Sequence, residues 1–263
     1  MKKISKILPE PPLLAQHLLE FPDDEWESFC NNNRNASSQV KERLKQDQRC
    51  ICVYCEIDLL SNNQGKDDFK VEHFYPKKPH MEEPHKINYS LKWENLFACC
   101  HGGSERYICE PVRFTSPDVS CDVDKGNNNW TDIILSPQEI PNFPLIFQYN
   151  ELGEMMVSDK RCPEALRNKA EETIIRLNLS PKLSSNQTAR LVKFRRAVIE
   201  KLRTQIEYLI DTQQQSLQDA IEELAHISYS DNPSVPWPAF FSCIRWYLGE
   251  AAEDRLRFIN YVG

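Results

Sequence analysis

The stretch Cys52-Val53-Tyr54-Cys55 decides how the first half of this chain folds. Two cysteines separated by two residues are typical of a metal-binding turn, but a tetrahedral zinc site needs four ligands. Cys121 provides a third thiol, and Cys99 or Cys100 a fourth, because adjacent side chains tend to point in different directions. Closed coordination by four thiolates would make the zinc structural, not catalytic. The spacing therefore predicts a small metal-stapled module in which secondary structure is short.

The cysteines are concentrated in one part of the chain, since seven of the ten fall between Cys50 and Cys121. Disulfides are uncommon in a reducing compartment, where clustered cysteines favour metal binding. Basic residues near the start run into Pro9, Pro11 and Pro12 in place of an apolar stretch, which argues against a secretory signal. No segment approaches the roughly 20 apolar residues that span a bilayer. We therefore expect a cytoplasmic protein that does not contact a membrane.

Residues with catalytic potential alternate with the cysteines. Glu72 and His73 follow the first pair, and Asp122 and Lys125 follow Cys121. Taken singly, each has a plain explanation: a hydrogen-bonded structural histidine, a solvated acid and a surface ion pair. Their joint presence among the cysteines favours catalysis over a non-catalytic zinc scaffold, which would have no need of them.

The distribution of apolar residues predicts an α+β fold with most of its helix outside the cysteine-rich part. Phe69 to Phe74 alternates as a β-strand does and ends before Pro76. Helical spacing predicts helices from Leu166 to Leu177, Ala189 to Ile210, Leu217 to Ile227 and Phe240 to Tyr261. The predicted organisation is a helical N-terminal segment (1–49) that could contact a partner, a core module (50–130), a linker (131–160) and a helical region (161–263).

Charge is distributed unevenly along the chain. The net charge is −7, yet residues 160–203 contain 12 Lys/Arg against 4 Asp/Glu, which gives +8 there and −15 elsewhere. Four of these bases lie near one another on the predicted long helix: Arg190, Lys193, Arg195 and Arg196. Three explanations remain open: the bases bind a nucleic-acid backbone, they bind an acidic partner, or they form a solvated helix face.

The series C-x-x-C, E-H-x-x-P, N-L and C-D-x-x-K-G resembles the zinc-stapled ββα-metal core of HNH nucleases. Three stretches are similar, more narrowly, to the Septu-type HNH nucleases, the PtuB family of anti-phage Septu operons and retron effectors. These stretches are Cys52-Val53-Tyr54-Cys55-Glu56, Glu72-His73-Phe74-Tyr75-Pro76-Lys77 and Trp93-Glu94-Asn95-Leu96. The similarity covers roughly a third of the chain, from Cys52 to Asn127.

The resemblance implies a role for each residue of the site. His73 would be the general base, Glu72 and Asp122 would bind a catalytic Mg²⁺ or Mn²⁺, and Asn95 would brace the loop that carries His73. Lys125 would contact a phosphate or support Asp122. The structural Zn²⁺ ligands would be Cys52, Cys55, Cys100 and Cys121, with Cys99 as the alternative to Cys100.

Two departures from the HNH pattern concern the ligands. The partner expected shortly after Cys100 is missing, and Cys121 follows only after an insertion, so that His101 could replace one ligand. Asp122 stands where Asn or His is common, and a carboxylate at that position suits Mg²⁺.

The resemblance also implies a function and partners. The chain would hydrolyse phosphodiester bonds in a nucleic acid, DNA or RNA, as the effector of a defence complex. It would act with an ABC/SMC-like ATPase of the PtuA type and, in a retron, with a reverse transcriptase and its msDNA. Two alternatives remain: a non-catalytic zinc-binding scaffold, and a stand-alone HNH restriction endonuclease that cleaves without an ATPase.

Overall fold

A computed structural model of the chain describes residues 1–59, 68–77, 87–105, 113–181 and 189–263. The described residues mix helix and strand. The helices are α1 (Pro12–Glu20), α2 (Trp26–Asn32), α3 (Arg34–Gln48), α4 (Asp122–Lys125), α5 (Glu164–Arg176), α6 (Arg190–Gln213), α7 (Leu217–Ser228), α8 (Phe241–Leu248) and α9 (Glu250–Phe258). The strands are β1 (Lys70–His73), β2 (Leu96–Cys99), β3 (Phe147–Tyr149) and β4 (Met155–Val157), and a 3₁₀ turn spans Trp93–Asn95.

Three helices form the N-terminal segment and pack on the core module. Pro12 begins α1, at a position where the missing N–H of proline costs nothing. A single residue separates α2 from α3, because the Asn33 side chain accepts a hydrogen bond from the Ala36 N–H at 3.2 Å and caps α3. Val40 and Leu44, one turn apart on α3, are completely buried in the main core.

The centre of the core module is an antiparallel hairpin of β1 and β2. Its register pairs Lys70 with Cys99 and His73 with Leu96. Gln48 at the end of α3 serves β2 as a further pairing partner: its amide accepts from the Ala98 N–H at 2.7 Å and donates to the Ala98 carbonyl at 2.8 Å. The hairpin is thereby fixed against α3, and the one-turn helix α4 follows it in the chain.

The linker predicted for residues 131–160 is instead part of the packed structure. Ile134, Leu135 and Ile140 are buried in the main core, and β3 pairs with β4 as an antiparallel hairpin. Its apolar residues are spaced without a helical or alternating pattern, yet they point into the core.

Three of the C-terminal helix predictions are confirmed by α5, α6 and α7. The single helix predicted from Phe240 to Tyr261 is wrong, because the chain breaks at Gly249 into α8 and α9. Gly249 has φ 59° and ψ −131°, a conformation open to glycine and strained for other residues. A second apolar core lies between α6, α7, α8 and α9. None of the described helices is long and apolar enough to cross a membrane.

Candidate active site and metal centre

Turns and strand ends bring five cysteine thiols together. Cys52 and Cys55 lie in a tight turn, in which the Cys52 N–H donates to the Ile57 carbonyl at 2.8 Å and the Glu56 N–H donates to the Cys52 carbonyl at 3.1 Å. Cys99 is the last residue of β2, and Cys100 follows it. Cys121 precedes α4 and is tied to the helical region by a 2.9 Å hydrogen bond to the Leu177 carbonyl.

The sulfur spacing fits a tetrahedral metal ion. Sγ–Sγ distances are 3.6 Å between Cys55 and Cys100, 3.8 Å between Cys52 and Cys99, and 3.9 Å between Cys100 and Cys121. Zinc–sulfur bonds of about 2.3 Å in a tetrahedron place neighbouring sulfurs about 3.8 Å apart. Burial raises the pKa of Cys55, Cys99 and Cys121, so a bound cation would be needed to keep them all as thiolates. The buried thiols can therefore hold a metal such as zinc.

Both Cys99 and Cys100 face this cluster, so the prediction that only one of them does is wrong. The alternation of side chains applies within a strand, and β2 ends at Cys99. Cys52, Cys99, Cys100 and Cys121 place their sulfurs within 4.8 Å of one another. Cys55 contacts Cys52, Cys100 and Cys121.

His101 takes a different partner from the one that the sequence allowed. Its Nδ1 lies 2.9 Å from Asp68 Oδ1, and the same carboxylate oxygen accepts from its backbone N–H at 2.9 Å. This pairing fixes the start of the segment after Cys100. Among the described residues, four side chains that could bind a metal lie close to one another, and all four are cysteines. His101 is not one of them.

Two carboxylates meet next to the thiols, each with its own lysine. Glu72 and Asp122 are hydrogen-bonded to each other. Glu72 Oε1 accepts from the Tyr54 hydroxyl at 2.8 Å and lies 3.0 Å from Lys125 Nζ. Asp122 Oδ2 lies 2.6 Å from Lys70 Nζ. Alternation along β1 places Lys70 and Glu72 on the same face of the strand, which explains why both reach the beginning of α4.

The pKa values of the two acids shift in opposite directions because their surroundings differ. Burial, followed by the hydrogen bond and charge of Asp122, raises the pKa of Glu72 well above its usual value. Burial also acts to raise the pKa of Asp122, but the hydrogen bond with Glu72 and the positive charge of Lys70 outweigh it, and this pKa is lowered. The two adjacent carboxyl groups offer the oxygen ligands that a divalent cation such as Mg²⁺ prefers.

His73 is held in one orientation and kept neutral. Its Nε2 lies 2.9 Å from the carbonyl oxygen of Ser90, and the Trp26 ring packs edge-on against the imidazole at a centroid distance of 5.5 Å. Since a carbonyl oxygen only accepts hydrogen bonds, Nε2 carries the proton and Nδ1 keeps its lone pair. Burial lowers the pKa of His73 to about 4. The N-terminal segment thus contributes to the site through Trp26.

Asn95 connects the segment after His73 with the loop that carries Ser90. Its Oδ1 accepts from the Tyr75 N–H at 2.6 Å, and its Nδ2 donates to the Tyr75 carbonyl at 2.9 Å and to the Tyr89 carbonyl at 2.7 Å. Its backbone carbonyl accepts from the Phe74 N–H at 3.1 Å. One buried amide therefore ties the backbone after His73 to the loop whose Ser90 carbonyl holds the imidazole.

A cavity of about 380 Å³ opens beside these residues. Its lining comprises Lys70, Val71, Glu72, His73, Pro76, Lys77, Asp122, Val123, Lys125, Gly126 and Asn127. A larger cavity, of about 570 Å³, is lined by residues of and around α1 and α2, with none of the site residues predicted from sequence among them. The smaller cavity is the candidate site because a base, two acids and cationic side chains all border it.

Three predicted site residues have other roles in the structure. Lys125 is almost completely buried and donates to the His73 carbonyl at 2.9 Å as well as pairing with Glu72, so it supports Glu72 and not Asp122. Arg190 is buried and bonds to the Arg113 carbonyl and the Ser120 hydroxyl. Arg195 is buried and donates to the Leu179 carbonyl at 2.7 Å.

A surface for a polyanion on α6 is therefore smaller than the sequence suggested. Arg190 and Arg195 do not face solvent, while Lys193 and Arg196 are exposed. Arg196 also pairs with Glu200 one turn along the helix, at 2.8 Å. Residues 182–188 of the basic stretch lie outside the described residues.

Sequence reasoning missed Lys70 and Tyr54, the partners of the two acids. The period-2 alternation of β1, which places Lys70 beside Glu72, was a signal for the first. Nothing in the sequence indicates that the tyrosine inside the C-x-x-C motif reaches Glu72.

One curated protein resembles this chain: a retron Ec83 putative HNH endonuclease from Escherichia coli. The two are 29% identical over 174 residues, which cover 62% of this chain and 64% of the relative. The match thus spans less than two thirds of the relative's length. No protein-family model matches the chain.

Proposed function

We propose that this chain is a metal-dependent HNH endonuclease that hydrolyses phosphodiester bonds in nucleic acid. One observation carries the proposal: Glu72, His73 and Asp122 border the same cavity beside a buried thiol cluster. The chain order of β1, β2 and α4 around that cavity supports a ββα-metal core. The similarity to a protein named as an HNH endonuclease supports the activity.

His73 is the general base of the proposed reaction. Its Nε2–H is engaged by Ser90, so Nδ1 is the atom that accepts a proton from the attacking water. The lowered pKa keeps this nitrogen unprotonated at neutral pH. Trp26 and Asn95 hold the ring and its loop in place, so that the lone pair keeps one direction.

Glu72 and Asp122 would hold Mg²⁺ or Mn²⁺, which supplies Lewis-acid activation of the phosphate and stabilises the leaving oxygen. Tyr54 and Lys125 both approach Oε1 of Glu72 and fix the orientation of this carboxylate. The cysteines would hold a structural Zn²⁺, because thiolates select zinc whereas carboxylates select harder cations. The two metals therefore have separate sites and separate roles.

We further propose that the nuclease is the effector of an anti-phage defence complex of the retron or Septu type. The relative's name connects it with a retron. The net charge of −7 and the burial of Arg190 and Arg195 leave little basic surface for binding nucleic acid alone, which favours help from a partner. That partner would be an ABC/SMC-like ATPase; an ATPase gene beside the gene for this chain, and co-purification of the two products, would support the assignment.

A cleavage assay tests the enzymatic proposal. The full chain, alone and with that ATPase, is incubated with plasmid, single-stranded DNA or tRNA in Mg²⁺, in Mn²⁺ or in EDTA. We expect cleavage that EDTA abolishes and that His73→Ala lowers by about 10²- to 10⁴-fold. His226→Ala, which changes an exposed histidine on α7, is the matched control and should cleave as the wild type does.

Each alternative predicts a different result in this assay. If no substrate is cleaved with or without the ATPase, the chain is better described as a zinc-binding scaffold. Cleavage by the chain alone, at a rate that the ATPase does not change, would favour a stand-alone endonuclease. An active His73→Ala protein would contradict the mechanism.

A further inference from the structure

Lys70 pairs with a carboxylate that a divalent cation would need. Its Nζ lies 2.6 Å from Asp122 Oδ2, one of the two carboxylates assigned to that cation. An ammonium group this close neutralises the aspartate by a charge-assisted hydrogen bond. A divalent ion that binds Asp122 must therefore compete with a cation belonging to the chain itself.

The two lysines at the site differ in their freedom to move. Lys125 Nζ is held by both Glu72 and the His73 carbonyl, and its side chain is 2% exposed. The Lys70 side chain is 34% exposed and borders the cavity. Its four-carbon stem can turn into the cavity without breaking the packing of β1, whereas Lys125 cannot leave its position without exposing buried groups.

We propose that Lys70 is a catalytic residue with two positions, on Asp122 before a divalent cation binds and on the substrate phosphate afterwards. This inference rests on the proposed function. Displaced from the carboxylate, the ammonium group remains beside the cavity that would receive the phosphate, where a positive charge stabilises the negative charge on the phosphoryl oxygens. Lys70 thereby sets the cation concentration at which the site is filled and contributes charge once the site is filled.

The first test measures cation binding without any reaction. Mn²⁺ is titrated into the zinc-loaded full chain and free Mn²⁺ is followed by electron paramagnetic resonance. Lys70→Met removes the competitor, so we expect Mn²⁺ to bind about five-fold more tightly, the order of magnitude of one partly exposed ion pair. Lys70→Arg keeps the charge and should bind Mn²⁺ as the wild type does.

Lys77→Met is the matched control. Lys77 also borders the cavity, but it pairs with Glu27 and not with Asp122, so its loss should leave Mn²⁺ affinity unchanged. A similar gain in Lys77→Met would show a general effect of charge and overturn the inference. An unchanged or weaker affinity in Lys70→Met would overturn it as well.

The second test measures cleavage at saturating Mn²⁺ in a single turnover. Lys70→Met should be about 10- to 100-fold slower than wild type despite its tighter cation binding, and Lys70→Arg should recover most of the rate. A wild-type cleavage rate in Lys70→Met would contradict the proposal that Lys70 contacts the substrate phosphate.

Asp122→Asn separates failure of this inference from failure of the proposed function. If Asp122→Asn does not weaken Mn²⁺ binding, Asp122 is not part of a cation site, and both the proposed function and this inference lose their basis. If Asp122→Asn weakens Mn²⁺ binding but Lys70→Met does not change it, the inference about Lys70 is wrong and the proposed cation site stands.

Discussion

Asn95 shows how a single side chain positions the proposed base without touching the cavity. Its amide accepts one hydrogen bond and donates two, all with backbone groups of Tyr75, just after His73, and of Tyr89, next to Ser90. Asparagine suits this position because it combines an acceptor and two donors in one planar group. A carboxylate of the same shape would place an acceptor opposite two carbonyl oxygens.

We therefore expect Asn95→Asp to lower the free energy of unfolding by about 2–4 kcal/mol, since two half-buried carbonyls lose their donor. Cleavage should fall with it, because His73 loses its bracing, while the zinc content should remain that of the wild type. Urea unfolding and metal analysis measure the two effects. Asn129→Asp, at an exposed position, should change stability by less than about 0.5 kcal/mol. Equal losses in both variants would show that Asn95 has no special role.

Residue identity indicated which side chains come to border one cavity better than it indicated their partners there. The sequence pointed to Glu72, His73 and Asp122, because acids and a histidine among clustered cysteines are chemically unusual. It could not show that Lys125 is buried under Glu72, or that Arg190 and Arg195 turn inward to bond backbone carbonyls. In the sequence, a buried arginine and a solvent-facing arginine on the same helix look alike. Only the fold shows which backbone carbonyls lie close enough to accept a hydrogen bond from them.

The thiol cluster is a property of several elements together, and it contains one ligand more than zinc requires. Cys52, Cys100 and Cys121 contact both Cys55 and Cys99. Cys55 does not belong to the set of four sulfurs that lie within 4.8 Å of one another, which includes Cys99. We therefore expect Cys55 in the turn and Cys99 at the end of β2 to be alternative fourth ligands of a zinc ion held by the other three.

We predict that Cys55→Ser and Cys99→Ser each retain close to one zinc per chain, because the remaining thiol completes the tetrahedron. Serine at position 52, 100 or 121 should abolish stable zinc binding, as should the Cys55→Ser/Cys99→Ser double variant. Metal analysis after gel filtration measures the content, and Co²⁺ substitution reports the number of thiolates by its charge-transfer band. Loss of zinc in only one of the two single variants would identify that residue as an obligatory ligand. It would contradict the prediction that Cys55 and Cys99 can replace each other.

The periodicity of apolar residues predicted the elements in which the pattern is long and uninterrupted. It failed at a single-residue break and at very short strands. Apolar spacing located α5, α6 and α7, and alternation located β1. It missed the break at Gly249, since apolar spacing continues across it. It also missed the β3–β4 hairpin, whose three-residue strands are too short for a pattern to emerge.

A buried ion pair holds the two helices on either side of the Gly249 break. Arg245 on α8 donates to both oxygens of Glu253 on α9, at 2.7 and 2.6 Å, and both side chains are buried. Glu253→Gln should lower the free energy of unfolding by about 3–5 kcal/mol, because the guanidinium is left buried without a countercharge. Urea unfolding measures this loss.

Asp254→Asn is the matched control. Asp254 directly follows Glu253 on the same helix, but its ion pair with Arg257 is exposed. Its cost should be less than about 1 kcal/mol. A cost for Glu253→Gln no greater than that of Asp254→Asn would show that the buried pair does not hold α8 and α9 together.

On the scale of the whole molecule, Glu56 joins the thiol-bearing turn to the C-terminal helices. Its carboxylate accepts from the Ser242 hydroxyl at 2.6 Å and from the Ser242 N–H at 2.9 Å, at the beginning of α8, and lies 3.2 Å from the amino group of Met1. Its backbone carbonyl accepts from the Phe240 N–H at 2.8 Å. Because Glu56 directly follows Cys55, the thiol-bearing turn and α8 share one rigid connection.

Removal of either the zinc or the Glu56 charge should therefore loosen α8, although α8 contributes no ligand. Glu56→Gln is expected to lower the free energy of unfolding by about 3 kcal/mol, because an amide cannot accept from donors at both of its ends. Hydrogen exchange of α8 amides should accelerate in Glu56→Gln and in the chelator-treated wild type, and Glu94→Gln, at an exposed glutamate, should leave it unchanged. If α8 kept wild-type protection after zinc removal, the metal-binding turn and the C-terminal helices would be independent, and zinc would stabilise only the module around the candidate active site.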